Sequence, residues 1–344
     1  QNGNLFTLDE IRIELPYVNE QTGQVGVRQF PAKNLSNSTV YFDMPAQTFS
    51  GVGRILVGGN SIGTFDYQVM LRITEFSPNP VSVDEDLVVY GTGFSPDKEQ
   101  SFVLVTALNA EGRTVEKWIK PHIIDDKLTQ MVIKLPVGVT NGRLSVRNYY
   151  NDTSGNGVEM KSNQLGYNIK PVIYQLDWSR PGYEQIGDKI TIYGKGIIHR
   201  PVVNFYDEEG KFVSSARGTI KEVNEAEGYE AIEVVTPLQL NKLKATVKIG
   251  VHESEKADAL TYTARPILTS IRATASRKMA VSNAQIAAAK PGEKIRLIGR
   301  GFKNASEIYV EFPTLNGKMT KSYVPKDQVD PNGNWLDVVV PKEA

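Results

Sequence analysis

The chain has 344 residues, of which 40% are hydrophobic, 23% are charged and none is cysteine, and its 39 basic side chains balance its 39 acidic ones. That length suits about two to four domains, and balanced charge without single-sign blocks excludes the footprint of a nucleic-acid binder or a polybasic membrane contact. Missing cysteine excludes disulfides and thiolate-held zinc or iron, and there is no run of about 20 apolar residues to span a membrane as a helix.

The opening Gln1-Asn2-Gly3-Asn4 is polar and has no apolar signal core, so an export signal is expected outside this sequence. In chain order, short alternations of apolar and polar residues then predict strands at 11–16 (IRIELP), 39–45 (TVYFDMP), 53–59 (GRILVGG) and 64–69 (TFDYQV). Residues 70–80 (MLRITEFSPNP) lead to 87–97 (LVVYGTGFSPD), where Gly91 and Gly93 flank Thr92 after a β-branched run. The same pattern recurs at 189–197 (KITIYGKGI) and 294–302 (KIRLIGRGF). Its first glycines, Gly91, Gly194 and Gly299, stand 103 and 105 residues apart.

Other landmarks keep step with these glycines. Strand-like segments precede each one, including 171–182 (PVIYQLDWSRPG) and 266–276 (PILTSIRATAS). Hairpins with a glycine at the turn follow at Gly112, Gly210 and Gly317, and then strands closed by Pro136, Pro237 and Pro341. Closing aromatic strands end near Tyr167 and Tyr262, and Tyr67 occupies the matching place at the start of the chain. The pattern divides the chain into a back half at 1–69, full repeats at 70–169 and 170–264, and at 265–344 a repeat without its last strands. About 100 residues of short strands per repeat predict an all-β chain of two-sheet sandwiches. The junctions at Lys170-Pro171 and Arg265-Pro266 leave little linker, which predicts an elongated array. Long helix patterns are missing: 282–290 (SNAQIAAAK) suggests one short helix or a lengthened loop, and 223–231 (VNEAEGYEA) is the next helix candidate.

These landmarks resemble the TIG/IPT family of immunoglobulin-like domains. The segments 186–197 (IGDKITIYGKGI) and 291–302 (PGEKIRLIGRGF) carry its glycine-rich strand. Residues 84–94 (DEDLVVYGTGF) lack the leading glycine, and Ile197 replaces the usual phenylalanine. The resemblance implies immunoglobulin-like sandwiches of a bacterial surface or secreted protein, acting as spacers or binding modules in adhesins and glycan-binding proteins.

No set of residues predicts catalysis. A dinucleotide loop needs a third glycine and a following helix, but Pro96 follows Gly93 closely, so the Gly-x-Gly segments read as strand-ending bends. Residues 59–63 (GNSIG) match a nucleophile elbow around Ser61, yet 64–67 continue as a strand where the elbow needs a helix. His122, His199 and His252 are scattered without metal-ligand spacing. The acidic stretches 83–86 and 206–210 lack the alternation of a calcium loop, so no metal or cofactor is expected. Sequons stand at Asn34, Asn37, Asn151 and Asn304.

Aromatic rings beside polar groups are the remaining signal, because a pyranose has an apolar face and a hydroxylated rim. Tyr149, Tyr150, Trp118 and Trp178 are the candidate glycan contacts, with Trp335 a further ring on a strand. Residues 147–157 (RNYYNDTSGNG) are the most suggestive segment. The expected function is a non-enzymatic extracellular scaffold that spaces or presents a binding element for carbohydrate or another surface protein. Alternatives are direct glycan binding, accessory domains of a larger secreted enzyme, or self-association through the incomplete terminal repeats.

Overall fold

The computed structural model describes residues 10–36, 39–109, 112–182, 184–238, 242–256, 259–273, 289–303 and 307–344. Apart from a 3-10 turn at Lys326–Gln328, antiparallel sheets account for the regular structure of the described residues, in four successive groups. The first contains β1 (Ile11–Val18), β2 (Val25–Pro31), β3 (Asn34–Ser36), β4 (Thr39–Tyr41), β5 (Gly51–Val57) and β6 (Asn60–Tyr67). Its sheet runs β2-β1-β5-β6, and β3 pairs with β4.

The second group contains β7 (Arg72–Ser77), β8 (Asp86–Thr92), β9 (Ser101–Leu108), β10 (Thr114–Ile119), β11 (Ile123–Ile124), β12 (Gln130–Lys134), β13 (Gly142–Asn151), β14 (Gly157–Lys161) and β15 (Leu165–Tyr167). One sheet runs β11-β12-β8-β7. The other runs β10-β9-β13-β14, with β15 also on β13.

The third group repeats this plan with β16 (Val172–Trp178), β17 (Lys189–Lys195), β18 (Val202–Tyr206), β19 (Phe212–Arg217), β20 (Thr219–Asn224), β21 (Tyr229–Val235), β22 (Lys242–Ile249), β23 (His252–Glu253) and β24 (Leu260–Thr263). Its sheets run β16-β17-β21-β20 and β19-β18-β22-β23, with β24 on β22. The fourth contains β25 (Ile267–Ala273), β26 (Lys294–Arg300), β27 (Tyr309–Pro313), β28 (Met319–Tyr323) and β29 (Trp335–Val339), paired as β25-β26-β29 and β27-β28.

In the second and third groups the sheets divide as in an immunoglobulin sandwich: the group's first, second, sixth and fifth strands form one sheet, and its fourth, third, seventh and eighth the other, with the ninth also on the seventh. Residues 223–231, expected as a helix, instead close the β20–β21 hairpin with Gly228 at φ +72. Asn224 closes the turn: its Oδ1 accepts the Glu227 N–H at 3.0 Å and its carbonyl the Gly228 N–H at 2.9 Å, so the chain reverses where a helix would continue. Most of the other helix candidate, 282–288, lies outside the described residues. By compactness the chain divides into two units: Gln1–Lys170 with Asn224–Gly228, and Pro171–Val223 with Tyr229–Ala344.

Each Gly-x-Gly segment is built the same way. The first strand of the group carries a bulge between Ile73 and Glu75, between Ile173 and Gln175, or between Leu268 and Ser270. The bulge drives a carbonyl oxygen toward the facing glycine. A Cβ on Gly91 would lie 2.2 Å from the Arg72 oxygen, one on Gly194 2.2 Å from the Val172 oxygen, and one on Gly299 1.9 Å from the Ile267 oxygen. The second glycine then turns the chain at positive φ, +75 at Gly93, +68 at Gly196 and +84 at Gly301. The turn sends Phe94, Ile197 and Phe302 into the core.

Buried polar groups fasten two of these bends. In the second group the Asn148 amide Nδ2 donates to the Gly93 carbonyl at 2.9 Å, and in the third the Glu230 carboxylate accepts the Ile197 N–H at 2.7 Å. Substitution of Gly91 should therefore be costly. Gly91→Ala must displace backbone and is expected to destabilise the second sandwich by about 2–3 kcal/mol. Gly112→Ala places a Cβ in open space at positive φ and should cost about 1 kcal/mol. Denaturant unfolding of the two variants measures the difference, and equal losses would refute the packing account.

Candidate functional site

The sheet β10-β9-β13-β14 buries one face and presents the other. Val103, Val105, Leu144 and Val146 point into the sandwich and are buried. Strand alternation turns Trp118 and Glu116 of β10, Phe102 of β9, Arg147 and Tyr149 of β13, and Glu159 and Lys161 of β14 to the opposite face. Register aligns them across the sheet: Phe102 faces Arg147, which faces Lys161, and Tyr149 faces Glu159.

Trp118 and Tyr149 lie nearly parallel, their centroids 6.4 Å apart and their planes 21° apart. Phe102 supports both in T-shaped contacts, 5.5 Å from Trp118 and 6.1 Å from Tyr149. The Arg147 guanidinium carbon is 5.1 Å from the Trp118 centroid, which adds a cation–π contact. Trp118 remains 44% exposed, while Phe102 and Tyr149 are half-buried beside it.

A polar network borders the rings. Arg147 Nη1 donates to Glu159 Oε1 at 2.6 Å, and the Tyr149 hydroxyl donates to the same oxygen at 3.0 Å. Lys161 Nζ lies 3.1 Å from Glu159 Oε2, and Arg147 Nη2 3.6 Å from Glu116 Oε2. Hydrogen bonds from Arg147 and then Lys161 lower the Glu159 carboxyl to about 2. The bond to Glu159 raises Arg147, while burial and then the Glu159 bond raise Tyr149. The network fixes the ring of Tyr149 and keeps ionised groups at its rim.

The structure separates the other two ring candidates from this face. Tyr150 has the opposite parity on β13, and its hydroxyl accepts a hydrogen bond from Gln68 Nε2 at 3.3 Å. The hairpin beyond it is capped by Asp152, which accepts the Ser154 and Asn156 N–H groups at 2.9 and 2.8 Å. Thr153 donates its N–H and hydroxyl to the Asp66 carboxylate of β6, at 2.8 and 2.9 Å. Much of the 147–157 segment thus holds the second sandwich to the first group of strands. Trp178, on β16, makes a T-shaped contact with buried Tyr262 at 5.7 Å. Trp335 lies under the Arg296 guanidinium at 3.7 Å, and Arg296 also pairs with both oxygens of Asp337.

The remaining sequence candidates have structural places. Ser61 is an exposed residue of β6. His122 Nε2 lies 3.5 Å from Asp86, burial and then Arg200 lower His199, and His252 stands on β23. Asp207 caps the β18–β19 turn by accepting the Lys211 N–H at 2.8 Å. Among the described residues, no group of three or more His, Cys, Asp or Glu side chains is placed to hold a metal ion, and no helix is long and apolar enough to cross a membrane. Asn37 and Asn304 lie outside the described residues, and exposed Asn151 ends β13.

No protein-family model matches the sequence, and no curated protein does. Solved structures to which the chain is similar include a tetra-tandem repeat from the extending region of a large adhesion protein, at 13% identity over 98% of this chain and 85% of that one, with TM-score 0.23. Others are the FN1–FN3 domains of chicken CNTN1 (11% identity, 80% and 88% covered, TM-score 0.24) and an auxiliary nutrient binding protein from Bacteroides thetaiotaomicron VPI-5482 (11%, 81% and 91%, 0.23).

The Glu159 network predicts a pH response. Its folded value lies below the ordinary 4.5, so the stabilisation it contributes is complete above that pH and is lost as pH falls toward about 2. The Trp118 indole resonance of the folded protein should stay constant through the ordinary carboxyl range and shift only as pH approaches about 2. A transition centred on the ordinary carboxyl value would contradict the network.

Proposed function

We propose that this is a non-enzymatic extracellular repeat protein of TIG/IPT type, with repeats at 1–69, 70–169, 170–264 and 265–344. In this reading the sandwiches are a scaffold and the second binds carbohydrate on its exposed sheet face. The near-parallel pair of exposed Trp118 and half-buried Tyr149 carries the proposal. Flat rings complement the C–H face of a pyranose, while Arg147, Glu159 and Lys161 offer donors and acceptors to its hydroxyls.

Two observations support the scaffold half. Features that recur between repeats are structural: the glycine pair and the buried residue after it in the last three, and the buried tyrosines Tyr67, Tyr167 and Tyr262 in the first three. The Asp66–Thr153 clamp holds neighbouring sandwiches by their own side chains. A cysteine-free composition rich in glycine, proline and asparagine suits a bacterial surface location.

Glycan-array screening of the whole chain, followed by titration of the best ligand, tests the reading. Trp118→Ala and Tyr149→Ala should each weaken binding at least about tenfold, equivalent to about 1.4 kcal/mol. Trp178→Ala should leave affinity unchanged. Undiminished binding by both platform variants, with native circular dichroism, would overturn it.

A further inference from the structure

A recess lies in the unit that begins at Pro171. It is a cleft of about 550 Å³, formed by the turn of the β18–β19 hairpin, the bend after β26 and the turn before β29. Its size is within the usual range of about 300–1,000 Å³ for small-molecule sites. Phe212 supplies an aromatic wall that is 55% exposed, and Tyr206 supports that ring in a T-shaped contact at 6.0 Å.

The walls are fixed by backbone bonds. Asp207 N–H donates to the Lys211 carbonyl at 2.9 Å and closes the hairpin. On the other side, Phe302 N–H donates to the Gly333 carbonyl at 3.2 Å, and Gly299 N–H to the Asn334 carbonyl at 2.8 Å. The turn bearing Asn332 and Asn334 is therefore docked onto the third Gly-x-Gly bend, where Arg300 and Lys303 stand.

Charge gives the cleft its selectivity. Lys211, Arg300 and Lys303 make no ion pair among the described residues, and Asp207 is the one acid in the lining. Three cations against one carboxylate leave a local excess of two positive charges, in a chain whose net charge is zero. One Asp207 oxygen already accepts the Lys211 N–H. Unpaired cations around a recess lower the free energy of a bound anion, and an arginine fork matches a carboxylate or sulfate. Two amides and an apolar ring are the complement of vicinal hydroxyls and a sugar C–H face.

We propose that this cleft binds an acidic saccharide unit, one carrying a carboxylate or a sulfate ester, independently of the Trp118 platform. The anionic group meets Arg300 and Lys303, the hydroxyls meet Asn332 and Asn334, and the ring lies against Phe212.

Calorimetric titration of the whole chain with three probes tests this: oligogalacturonate, a chondroitin sulfate oligosaccharide and a neutral maltooligosaccharide. At least one acidic probe should bind, more weakly as salt rises, and comparison of the two identifies the anionic group preferred. The double variant R300Q/K303Q, and separately Phe212→Ala, should each lower that affinity at least about tenfold, while Lys134→Gln, at an exposed cation of the second sandwich, leaves it unchanged. No binding of either acidic probe at millimolar concentration, or binding unaffected by R300Q/K303Q, would overturn the proposal. Equal heat from inorganic sulfate alone would overturn it too, because the sugar contacts would then contribute nothing.

Discussion

A carbonyl oxygen pressed against a glycine is the contact on which each of these sandwiches depends. At Gly91, Gly194 and Gly299 the bulged neighbouring strand fills the volume a Cβ would occupy. That approach leads directly to the positive-φ turn at the next glycine, and the turn delivers Phe94, Ile197 or Phe302 to the core. The bend is also where the two sheets are joined in the second sandwich, because the Asn148 side chain from β13 holds the Gly93 carbonyl. In the third, Glu230 acts from β21 of the same sheet, and its buried carboxylate takes the Ile197 N–H instead. Different side chains meet one requirement: a buried backbone group must find a partner.

Because the bend uses its polar groups internally, chemistry is left to the outward faces and to the turns. Those faces differ between sandwiches although the strand order repeats. In the second, β9, β10 and β13 contribute three rings to one surface. In the third, the Tyr206 hydroxyl donates to Glu253 at 2.7 Å and Lys256 lies 4.8 Å from the ring centroid, so the aromatic is smaller and mostly covered. A constant interior with a variable exterior is how one fold carries several binding properties.

Much of this architecture could be read from the sequence because its signals are local. Alternation gives strands, Gly-x-Gly marks a bend, and repetition sets the order of elements, so Phe94, Tyr167 and their counterparts were recognisable as a set. The helix candidate at 223–231 fails because Asn224 and Gly228 close a hairpin turn there, a signal that glutamate and alanine content obscured. The aromatic face was legible only in part. Trp118 and Tyr149 come from strands separated by β9, and their meeting depends on two registers that spacing alone does not give. Tyr150 shows the same limit from the other side: one step along β13 reverses the face, and its hydroxyl meets Gln68. The basic cleft left no local trace, since Lys211 and Arg300 belong to different sandwiches.

The bulges in β7, β16 and β25 have a consequence for how such a chain reaches its folded state. All three are the outermost strands of their sheets. Tandem copies of one sandwich keep similarly patterned strands at high local concentration, which favours exchange and edge-to-edge mispairing between copies during synthesis. A bulge breaks the regular row of free N–H and C=O groups that an incoming strand would need. The irregularity that forces glycine into the bend therefore also makes these edges poor templates, protecting neighbouring copies from one another before their cores close.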